Sequence, residues 1–128
     1  YEGVALSTRD NYECMQKGQP LETTFLTGGG SRSPVWCQIL ADCTGNAMRV
    51  PAGVELGAKG AAMNAGVAVG AFADHAEAVA QMVKIEREFS PNHQLAGQYD
   101  HLYSLYQELI RAVWPVWESS WQIGIAQW

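Results

Sequence analysis

Three consecutive glycines, Gly28-Gly29-Gly30, stand directly behind Phe25-Leu26-Thr27 and directly ahead of Ser31-Arg32-Ser33-Pro34. Glycine has no Cβ and tolerates positive φ, so a flat ring or a phosphate can lie against the backbone there. A helix starting at Pro34 would add free N–H groups and the positive end of its dipole. The hydroxyls of Ser31 and Ser33 stand at the same edge. Together these features suit the adenosine or phosphate part of a nucleotide without any basic patch. They equally suit a tight turn that binds nothing, and the residues alone leave both readings open. The run is not a P-loop, which needs Lys-Ser/Thr behind the glycines, and it lacks the Gly-x-Gly-x-x-Gly spacing of dinucleotide folds.

The other chemistry-bearing residues are scattered. Glu55 suits either a water or magnesium shell near phosphates or a first-turn carboxylate facing a helix dipole. Lys59 reads as an exposed helix lysine before a phosphate ligand, and Trp36 as core before an adenine stack. Asp42 and Asp100 fall on expected helices as solvated or capping groups. His75, His93 and His101 are unclustered. Cys14, Cys37 and Cys43 have no metal-binding spacing and read as buried reduced thiols of a cytoplasmic protein.

The elements that must position these groups follow from periodicity and punctuation. A helix is expected over Glu2 to Lys17 on Val4, Leu6, Tyr12, Cys14 and Met15, stopped by Gly18 ahead of Pro20. A strand over Leu21 to Thr27 leads into the glycines. Ser33 as N-cap and Pro34 at the first position open a second helix, with Val35, Trp36, Ile39, Leu40 and Cys43 on one face and Gly45 as its stop. Ala47 to Val50 is a second strand, closed by Pro51 and Gly53. Glu55 to Phe72 is crowded with Gly and Ala, and reads as a helix packed tightly on the sheet with its start near a ligand. Asp74 caps a short helix to Val83. Lys84 to Asn92 is a charged connection, extended through Ile85 and Phe89. A long helix from His93 to Trp121 buries Leu95, Tyr99, Leu102, Leu105, Tyr106, Leu109 and Val113, with a kink or break at Pro115.

This order implies an α/β fold, helix-rich with a small sheet. Two strands are few for a stable sheet, so further strands are expected outside this chain. The 128 residues suffice for one domain, and 48% apolar with 16% charged residues is a globular composition. Thirteen acidic against eight basic side chains leave a net charge of -5, which argues against a nucleic-acid surface. No apolar run reaches membrane-spanning length, and no membrane partner is expected. Trp114, Trp117 and Trp121 suggest an apolar face covered by another domain or subunit, a homodimer being one form of such cover.

Two blocks carry a family resemblance. The run from Leu26 through the glycines to Trp36, followed by Gln38-Ile39-Leu40-Ala41-Asp42 and Gly45, resembles the C-terminal domain of FGGY carbohydrate kinases, above all their xylulokinase-like members. Val50-Pro51, Glu55, Gly60-Ala61-Ala62 and Ala65 to Gly70 resemble the next block, in the same order and at a similar separation. The resemblance spans residues 1 to 110. It implies part of an actin-like, ribonuclease H-like ATPase domain, one of two that flank a cleft. It implies transfer of the γ-phosphoryl group of ATP, with Mg²⁺, to a hydroxyl of a sugar or polyol, a pentulose such as xylulose first. It places Gly28, Gly29, Gly30, Ser31 and Ser33 against the adenosine. The family's catalytic base is an Asp at the domain interface, and no motif here matches it. Residues 1–128 are thus expected to be the C-terminal, nucleotide-binding part of a larger two-domain kinase, inactive alone, with the sugar held mainly by the other domain. A non-enzymatic actin-like module for nucleotide binding or assembly is the alternative.

Overall fold

The structure is a computed structural model that describes residues 1–16, 24–53 and 55–124, the last four of them as backbone only. Helix α1 (Glu2–Gln16) is followed by strand β1 (Thr24–Phe25), helix α2 (Pro34–Thr44), strand β2 (Met48–Pro51), helix α3 (Leu56–Ala68), helix α4 (His75–Met82), strand β3 (Ile85–Phe89) and helix α5 (Ala96–Gly124). Short 3-10 turns cover Gly29–Arg32 and His93–Leu95. The Gly18 stop, Pro20 and the first half of the expected strand lie outside the described residues.

Helix α2 begins and ends where its punctuation dictates. The Ser33 hydroxyl accepts the Trp36 N–H at 3.3 Å, Pro34 fills the first turn, and Gly45 turns left-handed at φ 70° while its N–H bonds the Ala41 carbonyl. Its apolar face is largely the expected one: Leu40 and Cys43 are in the core and Trp36 and Ile39 pack against it. Cys37, Leu40, Ala41 and Cys43 are buried, whereas Val35 is 70% exposed. Asp42 is buried too, and is neither solvated nor a cap of its own helix. Its carboxylate accepts the Asn92 N–H at 2.7 Å and the Gln38 amide at 2.8 Å, tying the segment after β3 to α2.

The sheet order is β1-β2-β3, with β1 parallel and β3 antiparallel to β2. The charged connection is therefore a full strand, and the third strand lies within this chain. Alternation explains it: Arg87 and Phe89 are half-buried while Glu86 and Glu88 are exposed. Arg49 faces Glu88 across the ladder, their side chains 2.9 Å apart. The register slips where Pro51 pairs with Ile85, leaving Glu86 as an extra residue. Proline has no N–H for the ladder, and a bulge is a place where it is tolerated.

The glycine-rich helix α3 buries none of its residues and lies against α4, not tightly on the sheet. Its side chains hold little apolar surface to hide, and the small residues serve a different contact. A methyl group on Gly66 would stand 2.6 Å from the Phe72 ring. The helix ends at Ala68, short of Phe72, because Gly70 turns left-handed at φ 76°. Asp74 caps α4 as expected, accepting the Glu77 N–H at 2.8 Å, and Glu77 returns a bond to the Ala73 N–H at 2.6 Å.

The core lies between α1, α2, α5 and β2, built from Ala5, Leu6, Leu40, Ala41, Cys43, Met48, Tyr99 and Tyr103. Helix α5 meets the expectation in part: Tyr99 is buried and Leu95 and Tyr106 pack against the core, and Tyr103, which the expected face omitted, joins them. Tyr99 and Tyr103 are buried, while Leu102, Leu105 and Leu109 are 38%, 48% and 58% exposed. Tyr103 finds polar partners on the core side. The Tyr103 hydroxyl donates to Asp10 at 2.8 Å, and the Arg9 guanidinium lies 4.5 Å from its ring centre. Burial and the bond to Asp10 push the Tyr103 pKa up. Helix α5 runs through Pro115 without a break. The bond lost at the Arg111 carbonyl falls on an exposed stretch, where water can replace it. Trp114 and Trp117 are exposed, and the Trp121 side chain lies outside the described residues.

Arg9 joins three helices. It donates to the Cys43 carbonyl at 3.3 Å, to Asp100 at 2.7 Å and to Glu13 at 3.0 Å. Asp100 is solvated, as expected, and is an ion-pair partner of Arg9 rather than a cap. Burial works against the Arg9 charge, but the bonds to Asp100 and Glu13 outweigh it and raise its pKa. The carboxylates are largely exposed, so the pairs themselves contribute little, and the Cys43 carbonyl and Tyr103 contacts carry most of the effect. Arg9→Met should lower stability to urea by about 1–2 kcal/mol, whereas Glu13→Gln should cost under about 0.5 kcal/mol.

The cysteines divide differently from expectation. Cys37 and Cys43 are buried, but Cys14 is exposed on α1. Burial pushes the Cys43 thiol up to about 11 despite the nearby Arg9 charge. Native protein treated with iodoacetamide at pH 8 should therefore be alkylated at Cys14, and at Cys37 and Cys43 only after denaturation, as peptide mass mapping would show.

Candidate functional site

The glycine turn closes in two steps. Gly28 adopts φ 80° and ψ -165°, a conformation that side chains with a Cβ rarely reach. Gly29–Arg32 then winds into a 3-10 turn, which the sequence reading did not anticipate. The Gly28 carbonyl accepts both the Ser31 N–H at 3.2 Å and the Ser31 hydroxyl at 2.8 Å. The Gly30 carbonyl accepts the Ser33 N–H at 3.2 Å, which sets Ser33 in place as the cap of α2.

An open hollow of about 370 Å³ lies beside this turn. Gly28, Gly29, Ser31 and Arg32 form one wall, and Val50 and Pro51 at the end of β2 form its base. Gly53 and Glu55 close the side before α3, and Glu86 and Arg87 face in from the bulge of β3. A methyl group at Gly28 or Gly29 would meet no atom within 4 Å, so the backbone there is open to a ligand.

Three of the five residues singled out from sequence thus come together: Gly28, Gly29 and Ser31. Gly30 and Ser33 lie off the lining. A Cβ at Gly30 would stand 2.9 Å from the Trp36 indole nitrogen, so this glycine is required by the approach of Trp36. Trp36 itself packs against the core and does not line the hollow. Ser33 spends its hydroxyl on the cap, and Ser31 spends its own on Gly28.

Glu55 occupies the position before α3, makes no capping bond and lies exposed on the wall. Lys59 is half-buried and is neither a free helix lysine nor aimed at the hollow. Its ammonium donates to the Ala52 carbonyl at 2.9 Å and secures the loop around Gly53. Arg32, Glu86 and Arg87 were missed by sequence reading. Arg32 stood inside the quoted run, but Glu86 and Arg87 reach the hollow only through strand pairing and a bulge. Among the described residues, no three His, Cys, Asp or Glu side chains gather as a metal site. Among the same residues, no helix is long and apolar enough to cross a membrane. A second hollow of about 270 Å³, lined by apolar groups such as Phe25, Leu56, Met63 and Val79, has little on its walls for chemistry.

Residues 1–69 match the FGGY family of carbohydrate kinases, C-terminal domain. The chain is 36% identical over 119 residues to an erythritol kinase of Brucella abortus, covering 91% of this chain and 22% of that protein. It is 36% identical over 115 residues to a probable L-xylulose kinase of Haemophilus influenzae, covering 88% of this chain and 23% of that one. The crystal structure of a xylulose kinase from Rhodospirillum rubrum superimposes with a TM-score of 0.78 at 28% identity, over 91% of this chain and 24% of that chain. The fold is accordingly the α/β, actin-like and ribonuclease H-like fold of these enzymes, in part. This chain spans under a quarter of the length of these relatives. The chain belongs to the FGGY family of carbohydrate kinases, as part of the C-terminal domain.

Proposed function

We propose that this chain forms the adenosine-facing side of the nucleotide site of an ATP-dependent carbohydrate kinase, with Gly28, Gly29 and Ser31 at the nucleotide. The observation that carries this reading is the Cβ-free wall at Gly28 and Gly29, open on one side and braced by α2 on the other. A flat ring can approach that backbone closely, which no other residue type would allow. Gly30 and Ser33 act one step removed, by seating Trp36 and by starting α2.

When bound, ATP supplies the γ-phosphoryl group for a sugar or polyol hydroxyl. Such transfer depends mainly on positioning and electrostatics. The residues of this chain hold and orient the adenosine end. Glu55 on the wall would be the carboxylate of this chain able to hold Mg²⁺ through water, and the ion would neutralise phosphate charge. The acceptor and the catalytic base belong to the other domain of the whole enzyme. A pentulose such as xylulose is the first acceptor to test, with erythritol behind it, since similar proteins are named for both.

Two measurements test this reading. In the full-length protein, Gly29→Val should weaken ADP binding about tenfold or more by filling open space, with little change in Tm. Gly30→Ala should instead lower stability by about 1 kcal/mol through its clash with Trp36. An unchanged ADP dissociation constant in Gly29→Val would remove the turn from the site. The 128 residues alone should show no ATP-dependent phosphorylation of xylulose, and turnover by them would refute the division of labour.

A further inference from the structure

We propose that Arg87 is a positioning residue for the nucleotide site, fixing the backbone of the glycine turn through the Ser31 carbonyl. This rests on the nucleotide reading above.

The turn has no side chains of its own between Gly28 and Gly30 with which to hold its shape. The bonds to the Gly28 and Gly30 carbonyls are all internal to it. Ser31 is buried, and its carbonyl accepts from two residues beyond the turn. Arg87 donates through Nη2 at 2.7 Å, and the Cys37 thiol donates at 3.4 Å. A thiol is a weak donor, whereas the guanidinium bond is charge-assisted. Among the described residues, Arg87 makes the hydrogen bond that joins the turn to the sheet.

The bulge gives this contact its geometry. Arg87 pairs with Val50, Ile85 pairs with Pro51, and the extra residue Glu86 lies between them. Bulges bend a strand and re-aim the adjoining side chains. Here both Glu86 and Arg87 reach the hollow, although they are neighbours in a strand. The thiol of Cys37 records the same proximity: burial raises its pKa, and the Arg87 charge works against that rise.

Because Arg87 lies on the wall of the hollow, a direct contact with a phosphate is the rival role. Binding of ADP and of adenosine to the full-length protein, measured by calorimetry, separates the two. If Arg87 shapes the turn, Arg87→Met weakens both ligands by the same factor, about tenfold, and Arg87→Lys recovers part of the loss. Arg49→Met is the control, since it removes an ion pair with Glu88 on the same sheet without touching the turn. It should leave both constants within about twofold. Weakened ADP with unchanged adenosine would overturn the proposal in favour of a phosphate contact. An effect of Arg87→Met no larger than that of Arg49→Met would overturn it as well. If Gly29→Val weakens ADP while Arg87→Met does not, the positioning role alone falls. If Gly29→Val has no effect either, the nucleotide reading falls with it.

Discussion

Burial of one face of α2 is the constraint on which the rest of the structure depends. Cys37, Leu40, Ala41 and Cys43 are almost fully removed from water. Leu40, Ala41 and Cys43 share a core with Ala5 and Leu6 of α1, Met48 of β2, and Tyr99 and Tyr103 of α5. Many of these side chains are small, so the helices approach closely, and a change in α2 would be felt in each neighbour. The polar connections follow the same plan. Arg9 fastens α1 and α5 to the last turn of α2, and Asp42 fastens the segment behind β3 to its outer side. With α2 immobilised, Ser33 is immobilised, and the glycine turn inherits a fixed end.

That inheritance matters because a glycine run has no means of ordering itself. Each glycine loses more backbone freedom on folding than any other residue. Without side chains, no packing recovers that loss within the run. The order is imposed from three directions: by β1 before it, by the cap of α2 after it, and by Arg87 from the sheet. The sparseness that makes the turn costly to order also leaves its backbone open to a ligand.

The parts legible in the sequence are those decided within a few residues. Ser33-Pro34, Gly45 and Asp74 act on the nearest turn of backbone, and α2 and α4 begin or end there. The phase of α5 was legible in part: Leu95, Tyr99 and Tyr106 meet the core, while Leu102, Leu105 and Leu109 do not. Periodicity did not place Tyr103, whose position is fixed by contacts with Asp10 and Arg9 about ninety residues away. Strand β3 was blurred by its charges, although the alternation of Glu86, Arg87, Glu88 and Phe89 is the pattern of a half-exposed strand. In the site, Gly28, Gly29 and Ser31 were visible as a local motif. Arg87 was not, since only the pairing of β2 with β3 brings it to residue 31.

The charge on the wall bears on which end of a nucleotide the proposed site suits. The chain as a whole carries a net charge of -5, but charges more than about 8 Å from a site are largely screened at physiological salt. What a ligand meets is local: Arg32 and Arg87 against Glu55 and Glu86. Two cations and two carboxylates leave no net attraction for a polyphosphate. The Cβ-free backbone at Gly28 and Gly29, by contrast, offers a flat surface that depends on no charge at all. A charge-balanced wall beside the Cβ-free glycine backbone favours a flat, uncharged group over a polyphosphate, which is the physical ground for the proposed adenosine contact.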